Sequence, residues 1–219
     1  STSTPTASAN EVVLDAQKMI PAPPDTVRDK ILFVLNNLSS ANIDQKVVDL
    51  RKLLVGSPYY AWFAQYLVVK RAGMEANYHS LYGQLLECFG DDGKLMSAVL
   101  RETFVVIDTL LKSPKTLTQS SERLYLKNMG IWLGTLTLAR DRPILHNQLD
   151  LKGVLLDSVV SNKLIVVIPF ACKVLEQGAF SRVFRPFNPY LMGCIRLLVE
   201  LYKYSELKLN LKFEIEVLC

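Results

Sequence analysis

The sequence predicts an all-α protein built as an array of stacked helix pairs of the HEAT type. Three observations lead there. Apolar residues recur at i, i+4, i+7 and i+8 about every twenty residues, the spacing of one helix face. Ten such stripes fill the 196 positions from Pro24 to Cys219, or five antiparallel pairs of about 39 residues, the period of HEAT-type repeats. One stretch, 121–140, has apolar residues on almost every side of the helical wheel, so it must be enclosed by the others.

Residues 1–23 are rich in Ser, Thr, Ala and Pro and read as a linker. Val12, Val13 and Leu14 are able to dock locally. The helical domain then spans 24–219. Val27, Ile31, Val34, Leu35 and Leu38 form the first stripe, and Asn42 with Gln45 is placed as a capping box for the second. Ser57 and Pro58 are a cap and first-turn proline for the third helix, which Gly73 should close. Tyr78, Leu81, Tyr82, Leu85 and Leu86 follow so soon that helices three and four are expected to be antiparallel neighbours.

The fifth helix should run from about Asp91 to Lys112. In the central helix, Gly130 and Gly134 each sacrifice roughly 1 kcal/mol of helix propensity relative to Ala, which points to a neighbouring backbone lying very close on that face. Pro143 ends the segment, and the helix should stop near Arg140. Asp150 caps the next helix. Leu164–Ile168 is β-branched enough for a strand, but Phe170, Val174 and Leu175 continue the pattern at helical spacing, so the segment should be a helix through Pro169. Asn188 and Pro189 open the ninth helix. Leu207 to Val217 alternate strictly with polar residues, the period of a strand, yet a lone strand has no partner in a helical array. A tenth helix, with Leu211, Ile215 and Leu218 inward, is the expectation.

The composition narrows the function. Net charge is +4, without a lysine or arginine cluster longer than two, so the basic balance alone is a weak argument for nucleic acid. Cys88, Cys172, Cys194 and Cys219 are far apart and read as reduced, mostly buried thiols of a cytosolic protein. No membrane segment is expected. His79 and His146 stand 67 positions apart, with no ligand spacing beside either, so no metal or other cofactor is expected. Gly90-Asp-Asp-Gly-Lys94 lacks the spacing of a phosphate loop, and Asp91 and Asp92 read as helix N-terminal charge. No catalytic residues are assigned, and the chain is read as a protein other than an enzyme.

Two places stand out as partner surfaces. Lys70, Arg71, Glu75 and His79 lie off the apolar stripes and converge at one edge. Phe180 to Tyr190 sets three phenylalanines and two arginines in one loop, the residue types of interface hot spots. Here Phe184, Arg185 and Tyr190 are the candidates, with packing of the phenylalanines into the core as the structural alternative. An RNA-binding helical repeat is the second functional reading.

Several long strings carry a family resemblance: Ile31–Ser39, Trp62–Tyr82, Leu126–Leu151 with Gly-Ile-Trp-Leu-Gly134 and Arg-Pro-Ile-Leu-His146, Val183–Pro189, and Glu206–Leu218. Together they resemble the middle segment of the scaffold subunit of the Ccr-four-Not deadenylase complex. The resemblance implies a fold like the middle domain of translation initiation factor four-G, with no catalysis of its own. It also implies two main partners, the exonuclease subunit that trims poly(A) and a DEAD-box ATPase that promotes translational repression and decapping. Other subunits would be held by flanking regions, RNA would be met at most indirectly, and the place of work would be the cytoplasm, including mRNA-processing bodies, with a nuclear pool.

Overall fold

A computed structural model describes Val13, residues 20–204 and residues 206–219. Among these residues there is no strand, and ten helices of seven residues or more follow one another: α1 Asp25–Asn36, α2 Ile43–Leu54, α3 Tyr60–Tyr66, α4 His79–Cys88, α5 Lys94–Lys112, α6 Ser120–Leu136, α7 Leu151–Val160, α8 Leu164–Glu176, α9 Pro189–Tyr204 and α10 Leu209–Leu218. Among the described residues no helix is long and apolar enough to cross a membrane. The expected linker lies mostly outside the described residues, but Val13, 1 % exposed, is part of the core.

The central helix is α6. Tyr125, Leu126, Met129, Trp132, Leu133 and Leu136 are all buried, because α5 lies on one flank and α8 on another. Leu124 is half exposed, so the enclosure is incomplete on one side. The two glycines bring α6 and α8 together backbone to backbone: a Cβ on Gly130 would lie 2.8 Å from the Phe170 carbonyl oxygen, and one on Gly134 2.6 Å from that of Val174. This is the close approach that the four-residue glycine spacing predicts. Trp132 satisfies its indole by donating from Nε1 to Thr103 Oγ1 on α5 at 3.0 Å. The helix ends at Leu136 as Thr137 leaves helical geometry, a 3-10 turn carries the chain through Leu138–Arg140, and Asp141 reverses it in the left-handed region.

Helix α8 is the second spine, packing on α6, α7 and α10. Leu164–Ile168 is helical despite its β-branched residues, since Val166, Val167, Ile168, Phe170, Val174 and Leu175 are all buried from a helical surface. In α10, Leu211 and Ile215 face inward and Leu209, Phe213 and Val217 outward, so tertiary burial overrides the period of two. Lys127 of α6 and Lys173 of α8 both pair with Glu214 of α10, tying the last helix to both spines. Asp150 caps α7 by accepting from the Gly153 N–H at 3.1 Å, and Asn188 caps α9 by accepting from Tyr190 and Leu191.

Three local expectations are corrected. The Asn42 and Gln45 side chains form no capping box: Asn42 Oδ1 accepts from the Ser39 N–H, and Gln45 donates to Asp49. Gly73 is not a left-handed cap, having φ of −63°. It is required because a Cβ would collide with the Tyr125 ring. Finally, α3 packs chiefly on α5, and α4 on α2 and α6, instead of α3 lying along α4. The corner between them is occupied by α6. There Tyr125 donates to the Val69 carbonyl at 2.9 Å and Asn128 to the Gly73 carbonyl at 2.9 Å, while a π-helical turn, Leu67–Ala72, ends α3.

Candidate functional site

The structure places the two sequence candidates on adjoining surfaces. After the π-helical turn, a 3-10 turn at Ala76–Tyr78 leads into α4, whose outward side carries Ser80, Gln84 and Glu87. Opposite them stand Thr135 near the end of α6, Arg140 in the 3-10 turn after it, and Gln177 and Phe180 in the 3-10 turn that extends α8. The result is a groove of about 520 Å³ whose lining mixes these polar groups with Ala76, Ile131, Ala139 and Phe180. Arg140 crosses it: its guanidinium lies over Gly83, where a Cβ would stand 2.4 Å from a terminal nitrogen, and its Nε donates to Glu87 at 2.6 Å. Sequence reasoning uses Arg140 to mark where the central helix stops. Its lateral reach is legible only once α4 is known to pack on α6.

At the edge before this groove, the candidates separate. Lys70 is exposed. Arg71 is mostly buried and pairs with Glu75 at 3.3 Å, and Glu75 in turn accepts from the Tyr82 hydroxyl. His79 is not on the edge at all. It is 2 % exposed, donates from Nε2 to the Ala72 carbonyl at 2.7 Å, and lies 5.2 Å from the Trp132 ring. Bonding to a carbonyl requires the proton on Nε2. Burial disfavours the charged imidazolium and pulls the pKa down to about 4, so His79 is a neutral core histidine that fastens α4 to the end of the π-helical turn.

A second groove, of about 630 Å³, lies on the other side of the 3-10 turn and is bounded by α8, α9 and the end of α10. Its rim is the loop 181–188. Here Phe184 is 6 % exposed and lines the groove from the core side, its ring meets Tyr190 edge to face, and burial raises the Tyr190 pKa. Arg185 remains exposed, as do Phe180 at 74 % and Phe187 at 94 %. The phenylalanines of this loop therefore divide between core and surface.

What decides the division is Asp141, which sequence reasoning passes over. Its carboxylate accepts from Ser181 Oγ at 2.6 Å and from the backbone N–H groups of Arg182 and Val183 at 2.8 and 3.1 Å. Those bonds hold its pKa below the ordinary carboxylate value. Ser181 Oγ accepts in turn from Val183 and Phe184, turning Phe184 inward. Phe187 sits in the left-handed region at φ of +81°, a conformation that costs a non-glycine residue on the order of 1–3 kcal/mol.

Among the described residues, no three His, Cys, Asp or Glu side chains gather where they could hold a metal ion. Asp91 spends its carboxylate on the N–H of Leu95 at the start of α5. All four cysteines are free. Cys172 and Cys194 are buried, and burial pushes their thiols up to about 12 and about 11, while Cys88 and Cys219 are exposed, contrary to the expectation of mostly buried thiols.

Helices stacked in a continuous array, with grooves between their turns, define a helical-repeat protein, a class whose extended faces are its working surface. The chain belongs to the family described as the CCR4-NOT transcription complex subunit 1 CAF1-binding domain, whose sequence profile matches residues 19–219. Curated relatives agree. The chain is 44 % identical over 195 residues to the General negative regulator of transcription subunit 1 of Schizosaccharomyces pombe, and 38 % over 200 residues to that of Saccharomyces cerevisiae. It is 39 % identical over 207 residues to CCR4-NOT transcription complex subunit let-711 of Caenorhabditis elegans. These alignments cover 89 %, 90 % and 91 % of the chain, but only 9 %, 9 % and 8 % of the relatives.

Proposed function

We propose that the chain is a non-catalytic docking domain that holds a CAF1-type poly(A) exonuclease and a DEAD-box ATPase on one rigid array, joining mRNA deadenylation to translational repression and decapping. The family's description supports the exonuclease. The observation that carries the docking reading is the pinned loop 181–188, where Phe187 is kept in water at a backbone cost that core packing does not explain. The ATPase part of the reading rests on the sequence resemblance, which implies a fold like the middle domain of initiation factor four-G. Such ATPases have two lobes that must close on RNA and nucleotide, and a rigid surface touching both holds a pre-organised orientation.

Lys70 is the residue of the first edge suited to an ATPase lobe, being exposed at the end of a constrained turn. Arg71→Glu would set a carboxylate against Glu75 and disturb folding, so Lys70→Glu is the cleaner probe. The test is co-purification of the chain with the exonuclease and the ATPase, separately and together, with ATPase turnover as a second readout. Both partners should be retained, and Lys70→Glu should lower stimulation while sparing exonuclease binding. Retention of neither partner, together with steeply salt-dependent binding to oligo(A), would establish the RNA-binding reading instead.

A further inference from the structure

The groove beside the pinned loop has a distinct chemistry. Leu175, Ala179, Phe184, Leu191, Ile195 and Leu218 make its walls mostly apolar, and its volume of about 630 Å³ falls in the range of sites that enclose several side chains. Pro186 contributes to one wall, which places the exposed Phe187 at the rim.

The rim is also electrostatically one-sided. Arg185 donates from Nε to the Ser181 carbonyl at 3.0 Å, which fixes the side chain and leaves its terminal nitrogens outward. Arg182 is exposed beside it, and among the described residues neither arginine forms a close ion pair with a carboxylate, although the charges of Arg182 and Asp141 interact. The acid that lines the groove, Glu176, is neutralised by Lys173 at 2.7 Å. An apolar trough is thus bordered by two exposed arginines: Arg182, which has the Asp141 carboxylate within electrostatic reach, and Arg185, which has no carboxylate ion pair among the described residues.

We propose that this groove takes a linear segment of a partner protein that combines apolar and acidic residues. Apolar side chains of the segment enter between α8, α9 and the end of α10. Phe187 packs over them at the rim, and carboxylates of the segment meet Arg182 and Arg185, whose guanidinium groups favour bidentate carboxylate pairing. The aliphatic floor suits side chains better than nucleobases, which need an open aromatic platform. Asp141 keeps the loop in its bound shape beforehand, so little ordering entropy remains to be lost on binding. The inference rests on the docking-domain reading and adds the chemistry of what is docked at this one surface.

The test is selection of short random peptides, displayed on phage, against the whole chain, followed by titration of an enriched synthetic peptide with methyl resonances as readout. Enriched peptides should join Leu, Ile or Phe to Asp or Glu, and should shift Leu191, Ile195 and Leu218. Charge reversal by Arg182→Glu with Arg185→Glu should weaken binding by about tenfold or more, as loss of charge-assisted pairs does. Arg182→Gln alone removes no side-chain hydrogen bond, sets no new carboxylate beside Asp141 and serves if the double variant misfolds, with a smaller loss of affinity expected. Absence of enrichment, acid-free peptides, indifference to charge reversal, shifts elsewhere on the array, or displacement of the peptide by oligo(A) would each overturn the proposal. Loss of exonuclease co-purification with peptide binding intact would instead overturn the wider docking reading and leave the groove standing.

Discussion

Gly134→Ala offers a test of the helix contact on which the array depends. Replacing glycine by alanine within a helix ordinarily gains roughly 1 kcal/mol from backbone propensity. At this position the new Cβ would stand 2.6 Å from the Val174 carbonyl oxygen and 2.6 Å from Gln177 Cγ, closer than real Cβ atoms come. The carbonyl is fixed in α8 and cannot rotate away, so α6 and α8 must part by about half an ångström or more, loosening the dense contacts around them. Overpacking of this kind costs about 1–3 kcal/mol. With a backbone atom as the obstacle, the upper part of that range applies, and the net loss should be about 1–2 kcal/mol. For a domain of this length that lowers Tm by about 2–8 °C. Thermal and urea unfolding followed by circular dichroism at matched conditions will measure it. Gly134→Leu should lose at least as much, about 1–3 kcal/mol. Adding Gly130→Ala to Gly134→Ala should cost less than the sum, because one separation of the helices relieves both contacts. A Gly134→Ala protein as stable as the parent, or more so, would refute the crowded-glycine argument.

Three other outcomes follow from individual polar groups. Since burial lowers the His79 pKa to about 4, below the unfolded value of 6.5, its contribution to stability is present above pH 6.5 and lost as pH falls toward 4, to a total of roughly 3 kcal/mol. Urea midpoints across that window should fall for the parent and fall less for His79→Gln, and parallel curves would contradict the assignment. Thr103→Val strands the Trp132 N–H in the core and should cost about 1–3 kcal/mol in urea unfolding, whereas an exposed control such as Thr109→Val should cost much less. Asp141→Ala should speed hydrogen exchange at the Arg182 and Val183 amides without altering exchange in α6 and α8. Unchanged protection at those two amides would show that the loop is held by other contacts.

The sequence by itself determined the all-α class, the identity of the central helix and its glycine contact. Each follows from patterns that repeat within one element: apolar spacing along α1 to α5, all-round apolarity in α6, and two glycines one turn apart. Asp150 and Asn188 were readable as caps for the same reason, since a cap bonds to residues two or three positions away. Asn42 shows the limit of that logic, because a nearby backbone N–H at Ser39 took the acceptor that a capping box needed.

Everything that required knowing which helix lies beside which was left to the tertiary structure. His79 is polar and off the apolar stripe, so its sequence position suggests exposure, yet the approach of α4 to Trp132 buries it and the Ala72 carbonyl accepts its Nε2 proton. Arg140 reaches Glu87 only because α4 packs on α6. Phe184 and Phe187 are of one residue type in one loop, and nothing local distinguishes them. A carboxylate 40 positions earlier, on Asp141, binds Ser181, turns Phe184 into the core and leaves Phe187 in water. Hydrogen bonds between distant residues leave no periodic trace in a sequence, and at this surface they select which side chains a partner can meet.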